Sequence, residues 1–436
     1  MPREVTSRRV LSLWWPLAGS WLLMAAEMPL LAMALTRLPG GEVHLAALGA
    51  LVYPLSMLIE APIIMLLAAS TALARDLAAH ERLRRFAHAA GAALTLVHVL
   101  VAFTPLFDVI ALDLLGVPAA VVEPGRIGMR IMTPWTWAIA YRRFQQGALI
   151  RCERSDLIVT GTVIRLLTNV AVLATGLAVG TWPGIVVGTV GVACGVVAES
   201  VWAGWCFHQI GHPLLPAHSD RAPLSWRAFA AFYLPLAFTP LITIVIQPIG
   251  AWAMSKMAEP LLSLAAWPAV YGLVFLTRSA GFAFNEVVVA LAGEPGGRTA
   301  LRRCGVGIAV VATAVLLLLA ETPLGGLWFG TVTGMTTELA TLASASLLFA
   351  MLMPGYAVAQ NYHQGLLVHG GRTRAITEAV VLYLVLCWLC LAAGVEWLRG
   401  VPGIQVALGS FTIAGLAQTA WLWWRRRGAR RSTQRP

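Results

Sequence analysis

The chain has 436 residues, of which 12% are charged and 58% hydrophobic, with a mean hydropathy of +0.76 and a formal net charge of +11. An ordinary soluble domain carries about 25% charged residues, so an ordinary soluble domain is excluded. What remains is an all-α polytopic membrane protein.

Apolar stretches of the roughly 20 residues that a bilayer core requires lie near 10–36, 43–74, 87–107, 122–150, 156–180 and 184–207. A second set follows near 228–255, 260–292, 304–320, 338–368, 374–397 and 402–424. These runs are long and continuously apolar, whereas barrel strands are short and alternating. Twelve transmembrane helices are therefore expected.

The two sets read as copies at an offset of 218 to 219 residues. Pro16-Leu17-Ala18, Pro29 and Thr36-Arg37 recur as Pro235-Leu236-Ala237, Pro248 and Ser255-Lys256. Thr104-Pro105-Leu106, Gly116, Gln146-Gly147 and Arg154 recur as Thr322-Pro323-Leu324, Gly334, Gln364-Gly365 and Arg372. A register held this long marks a duplicated unit. An even number of helices per copy makes the copies parallel, related by an axis along the membrane normal. The expected architecture is two parallel six-helix lobes facing a central cleft: 1–207, then a His- and Pro-rich cytoplasmic linker at 208–227 joining the lobes, then 228–424. A basic cytoplasmic tail follows at 425–436.

Most of the 31 basic residues fall in alternate loops, among them Arg75, Arg84, Arg142, Arg143, Arg154, Arg302 and Arg303, and in the tail from Arg425 to Arg435. Basic loops stay cytoplasmic, so both termini are expected inside, in the cell (inner) membrane, with no cleaved signal. Charge spread over such loops meets anionic headgroups, and a nucleic-acid partner is not expected. The six cysteines, including Cys387-x-x-Cys390, sit mostly in apolar helix and read as packing, not as metal or redox sites. Gly184-x-x-x-Gly188 and Gly191-x-x-x-Gly195 read as close helix contacts. No HExxH, Walker A or GxSxG pattern is present, so neither an embedded hydrolase nor an ATP-driven pump has a motif to rest on.

A charge at the bilayer centre costs about 2.5–3.5 kcal/mol on insertion scales, so each such residue needs a partner, a wet cavity or a function. Glu60 lies mid-way in the second span, and the offset carries it onto Arg278 in the eighth. The two could form a locking ion pair or line a transport site. Glu27 stands two residues before Pro29, where a helix opens, and Gln247 stands before Pro248. Glu27 could bind a coupling proton or sodium ion, or bond to the freed backbone. His98, with Leu316 as its counterpart, is a candidate proton relay or a hydrogen-bonded core residue. Glu199, facing Gln418 in the copy, is expected near the inner end of the sixth span as a secondary site. Arg165 is expected to be packed or snorkelling on the inner side. Gln146, Gly147 and Arg154, with Gln364, Gly365 and Arg372, form either a structural hinge or a cytoplasmic gate.

Leu45-Ala46-Ala47 through Glu60-Ala61-Pro62, Leu96-Val97-His98-Val99-Leu100, Gln146 to Arg154 and Gly195-x-x-x-Glu199-Ser200 resemble the progressive ankylosis family. That family lies within the superfamily of multidrug and toxic-compound extruders (MATE) and lipid-linked sugar flippases. The resemblance implies a MATE-like, alternating-access exporter of small anions such as pyrophosphate, phosphate, citrate or nucleotides. The chain departs from the family's animal member in the seventh span, where Ile244 and Gln247 precede Pro248-Ile249 in place of arginines. A cation-coupled drug antiporter, a lipid-linked oligosaccharide flippase and a membrane-embedded enzyme or scaffold are the rival readings. A monomer is expected, with no catalytic residues, bound metal or cofactor beyond a coupling ion.

Overall fold

The computed structural model describes residues 4–152, 154, 156–217, 224–370, 372 and 374–432. Its described secondary structure is helical, apart from an isolated bridge between Ala258 and Pro402. Among the described residues, ten helical stretches are long and apolar enough to cross a membrane: Ser7–Leu35, Gly41–Leu73, Leu77–Phe103, Asp156–Val179, Gly184–Leu214, Pro260–Val289, Gly297–Glu321, Thr337–His369, Arg374–Trp397 and Gly403–Arg427. The fourth place is taken by Ala119–Ile131 and Thr133–Arg151, which carry Arg126, Arg130, Arg142 and Arg143 along their length. Trp226–Ile244 and Ile246–Ser255 take the seventh. This is a multi-pass membrane protein of twelve helical spans.

Duplication is visible in the helix interruptions. The first span breaks between Ser7–Ala25 and Glu27–Leu35, and the seventh between Trp226–Ile244 and Ile246–Ser255. Pro29 and Pro248 supply the cause. Proline has no N–H for the carbonyl four residues back, here Ala25 and Ile244, the residues at which the helices stop. The third and ninth spans end at Thr104 and Thr322 with nearly the same backbone, φ −116 and −119. Each threonine hydroxyl donates to the carbonyl four residues back, at 2.6 Å for Leu100 and 2.5 Å for Leu318. Each also accepts an N–H two residues on, at 3.3 Å in both copies. One-turn π-helical segments follow at Val109–Leu114 and Leu327–Val332. Gly116 and Gly334 then turn the chain at φ +62 and +70, a left-handed region open to glycine.

The chain forms two compact units that do not follow the sequence halves at their first helices. Ala34–Trp252 is one unit, and Met1–Met33 with Ala253–Pro436 is the other. The crossings at 33–34 and 252–253 are themselves related by the 219 offset. The described part of the 208–227 stretch falls within the Ala34–Trp252 unit, beginning as a π turn at Phe207–Gly211 and a short helix at His212–Leu214; 218–223 of the expected linker lie outside the described residues.

Aromatic packing explains the grouping of the first helices. In the Ala34–Trp252 unit, Phe229 and Tyr233 set their rings 4.6 and 5.0 Å from Phe86, and the Tyr233 hydroxyl donates to the Pro62 carbonyl at 2.5 Å. In the other unit, Trp14 donates its indole N–H to the Ala280 carbonyl at 2.9 Å, and Val5 and Val10 join a core with Phe284, Val288 and Leu301. Arg9 grips Glu294 with two bonds of 2.5 and 3.0 Å.

Candidate functional site

The densest buried polar cluster described lies in the Ala34–Trp252 unit, on the second, fourth, fifth and sixth spans. Its anchor is Glu199, 1% exposed, two turns before the end of the α-helix Gly184–Cys206. One carboxylate oxygen pairs with the Arg142 guanidinium and lies 3.7 Å from that of Arg165. The other accepts from the Gln146 amide at 3.0 Å, with the Thr162 hydroxyl at 3.5 Å. Removing two charges from water costs several kcal/mol per ion even after relaxation, and this convergence of donors offsets that cost.

Local sequence places the donors. Arg142, Gln145 and Gln146 are spaced i, i+3 and i+4, which puts them on one face of Thr133–Arg151. Thr162 and Arg165 share a face of Asp156–Val179 in the same way. Glycines bring the backbones close enough for the arginine to reach. A Cβ on Gly195 would sit 2.9 Å from the Arg165 carbonyl oxygen, and one on Gly191 2.8 Å from the Asn169 side-chain oxygen. The small-residue stripe of the sixth span thus packs it against the fifth.

Glu60 reaches the same region from the second span. It is 4% exposed, and its Oε2 has no hydrogen-bond partner among the described residues. Arg142, Arg143 and Arg165 all act on it electrostatically. The Nε atoms of Arg142 and Arg143 are likewise buried without a partner among the described residues. Three guanidiniums here face two carboxylates.

One sequence expectation changes: Arg142 and Arg143, assigned to a cytoplasmic segment, stand inside a helix that runs on to Arg151, and Arg142 is only 4% exposed. Of the two alternatives for Arg165, packed or snorkelling, the side chain takes the packed one, turned inward to Glu199. One signal was available: at the 218 offset Arg142, Arg143 and Arg165 meet Gln360, Asn361 and Tyr383, so all three are charges that the copy lacks.

The corresponding region of the other unit has a different chemistry. Arg278, at the place of Glu60, bonds to Tyr271 and lies 5.7 Å from the ring centres of both Phe282 and Tyr356. Tyr383 acts on it electrostatically and is itself bonded to Cys387. The Arg278 Nε has no partner among the described residues.

The four residues expected to line a cleft are divided, Glu27 and Arg278 in one unit, Glu60 and Gln247 in the other. Glu27 is 8% exposed at the start of Glu27–Leu35. Its neighbours Met28 and Pro29 lie against Gly272, where an added Cβ would come within 2.8 Å of Met28 Cβ. Gln247 is half-buried in the first turn of Ile246–Ser255.

His98 is fully buried, with Nδ1 3.0 Å from the Thr136 hydroxyl and Nε2 2.8 Å from the Met129 carbonyl. A carbonyl only accepts, so Nε2 carries the proton, and a neutral ring then accepts the threonine hydroxyl at Nδ1. Both nitrogens are used in tying the third span to the fourth.

The hinge or gate elements divide between packing and ends. A Cβ on Gly147 would lie 2.7 Å from Ser70 Cβ, and one on Gly365 would lie 2.8 Å from Val288. Gln364 is half-buried. Arg154 pairs with Asp156 through two bonds of 2.9 Å, and Arg372 donates to the Arg425 carbonyl at 3.2 Å.

No protein-family model matches the sequence, and no curated protein is similar to it. Solved structures do match. A multidrug resistance MATE family transporter of the MOP superfamily, in an inward-facing conformation, superposes with a TM-score of 0.75 at 15% identity, over 94% of this chain and 96% of that one. The fold is MATE-like. A lipid II flippase in an inward closed conformation matches with a TM-score of 0.69 at 13% identity, over 94% of this chain and 87% of that one. A MOP superfamily transporter from Pyrococcus furiosus, described as having a binding pocket of reversed polarity, matches at 0.62 and 15% identity, over 97% of this chain and 96% of that one. On this MATE-like scaffold the polar cluster of the Ala34–Trp252 unit holds three arginines against two carboxylates.

Proposed function

We propose that the chain is a secondary transporter working by alternating access, and that it exports a small anionic metabolite of the pyrophosphate, phosphate, citrate or nucleotide class. The observation that carries this reading is the local excess of guanidinium groups in the Ala34–Trp252 unit of a MATE-like fold: Arg142, Arg143 and Arg165 outnumber Glu60 and Glu199 there, and in the other unit Arg278 has no carboxylate among the partners described for it. Arginine is suited to planar, multidentate binding of carboxylate and phosphate. A cationic-drug carrier would be favoured by the reverse balance. In this reading Glu27, Glu60, Gln247 and Arg278 belong to the transport path, Glu27 takes the coupling proton or sodium ion, and a monomer in the inner membrane keeps both termini in the cytoplasm.

The test is flux in proteoliposomes loaded with labelled phosphate, pyrophosphate, citrate or nucleotide, with and without a pH or sodium gradient. Anion release above that of protein-free vesicles is expected, and Arg278→Gln is expected to abolish it while the protein still elutes as one species. Flux of organic cations alone, or flux unchanged by Arg278→Gln, would sink the proposal.

A further inference from the structure

We infer that the starts of the third and seventh spans, which pack together in the Ala34–Trp252 unit, form a site for the phosphate headgroup of an anionic phospholipid, with Arg82, Ser225 and Trp226 as its donors. The site does not depend on what the chain transports.

A shallow groove marks the place. It is lined by Arg82, Leu83, Leu224, Ser225, Trp226 and Phe229 and spans about 160 Å³, counting the open space at its mouth. Its floor is apolar: Leu83 is 1% and Phe229 4% exposed, and Phe229 stands edge-on to Trp226 with ring centres 6.1 Å apart. Phe86 and Tyr233 back the floor, at 4.6 and 5.2 Å from Phe229. The side chains at the rim are donors. Arg82 gives one N–H to the Leu224 carbonyl, which fixes the guanidinium between the two spans, and a guanidinium carries five. Ser225 accepts from the Ala228 N–H at 3.2 Å and keeps its own hydroxyl proton to donate. Trp226 is 52% exposed and offers its indole N–H. The neighbouring acid, Glu81, is held by Arg84 at 2.8 Å and Arg85 at 3.2 Å, and no carboxylate lines the groove.

Donors without a carboxylate call for an anionic acceptor, and a cation has no ligand here. A free anion would use the donors but leave the exposed indole face and the leucine walls without a partner. A phosphodiester that carries glycerol and acyl chains uses both. The position agrees with this occupant. Tryptophan and arginine at the start of a span are the residues that settle at the membrane–water interface, and basic groups there attract anionic headgroups. A lipid so held touches the third span through Arg82 and the seventh through Ser225 and Trp226, and so bridges the two.

The experiment is fluorescence quenching of the purified full chain in nanodiscs of phosphatidylcholine with a minority of phosphatidylglycerol, at matched ionic strength. Bromine is placed on the acyl chains of one lipid or the other, and the quenching lost in Trp226→Phe is the part that belongs to Trp226. Per molecule, phosphatidylglycerol is expected to quench Trp226 at least about tenfold more effectively than phosphatidylcholine, the effect of one charge-assisted hydrogen bond. Arg82→Gln is expected to bring that ratio close to one. Arg84→Gln, which removes the same charge from a side chain already paired with Glu81, is expected to leave it as in wild type. Ser225→Gly removes a donor at little cost to the helix start and is expected to lower the ratio, which keeps the test in hand if Arg82→Gln does not fold. Equal quenching by the two lipids in wild type overturns the site. So do equal losses in the two arginine variants, which would show only diffuse attraction to a basic surface, or a ratio unmoved in Ser225→Gly. Millimolar inorganic phosphate is expected to change nothing, and relief of quenching by it would replace the lipid with a free anion and overturn the assignment. Anion flux bears on the transport reading alone, so the two can fail separately.

Discussion

At equivalent positions of its two halves the protein places opposite kinds of chemistry. The first half holds Glu60, Arg142, Arg143, Arg165 and Glu199, an ionic cluster crossed by charge-assisted bonds. The second half holds Arg278, Gln360, Asn361, Tyr383 and Gln418, one charge among phenols and amides. Meanwhile the proline breaks, threonine stops and glycine turns are the same in both. Duplication preserved the elements that shape backbone and released those that set the interior field. A helical scaffold tolerates this because backbone hydrogen bonds are closed within each span, whichever side chains point inward.

The largest break in that contrast should come from Glu199. Glu199→Ala leaves Arg142 and Arg165 buried without their shared carboxylate and should cost about 3–5 kcal/mol, the penalty of breaking a buried pair. Gln418→Ala should cost about 1 kcal/mol, as for an average substitution. Thermal unfolding in one detergent compares the two, and equal losses would remove the distinction between the halves.

Gly147→Ala and Gly365→Ala test the close contacts of the fourth and tenth spans. Each should cost about 1–3 kcal/mol from overpacking. The first should be the worse, because its new methyl meets the Leu67 carbonyl oxygen more closely than the 3.0 Å at which the Gly365 methyl meets that of Asn285. Denaturation of both variants checks the order.

His98→Leu installs the residue of the other half. It strands the buried Thr136 hydroxyl and takes from the Met129 carbonyl its 2.8 Å donor, leaving the Thr133 hydroxyl at 3.5 Å, and should cost about 1–3 kcal/mol. The pH profile of flux from the remaining folded protein should stay as in wild type. A shifted profile would restore the relay that its two occupied nitrogens argue against.

The smallest effect is expected at the helix stops. Thr104→Ala and Thr322→Ala each lose a bond to the following N–H and should cost about 1 kcal/mol, the typical worth of such a cap. Because the two geometries agree closely, the losses should match within measurement, and a clear difference would show that the repeat is less strict than its dihedral angles.

Much of the fold was legible because its signals are local. Pro29 and Pro248 announce breaks four residues upstream, Thr104-Pro105 and Thr322-Pro323 announce stops, and Gly116 and Gly334 announce turns. The site was harder to read. Arg142-Arg143 resembles an ordinary basic helix end when only the density of arginines is considered. Nothing nearby in sequence says that Glu199, 57 residues on, is the partner of Arg142. What could have flagged these arginines was the missing charge in the copy, at Gln360 and Asn361.

By itself the sequence determined a membrane protein of twelve spans, a doubled register and the points at which helices bend, stop and turn. Lipid offers no hydrogen-bond partner, so each span must satisfy its own backbone, and the residues that prevent or end that satisfaction act within about one turn. Tertiary structure decided that Ser7–Ala25 packs with the second half and Trp226–Ile244 with the first, and that three arginines converge inside one unit. Those outcomes depend on how each helix is rotated about its axis and on which neighbour fills its face, and both are fixed by contacts between residues far apart in the chain.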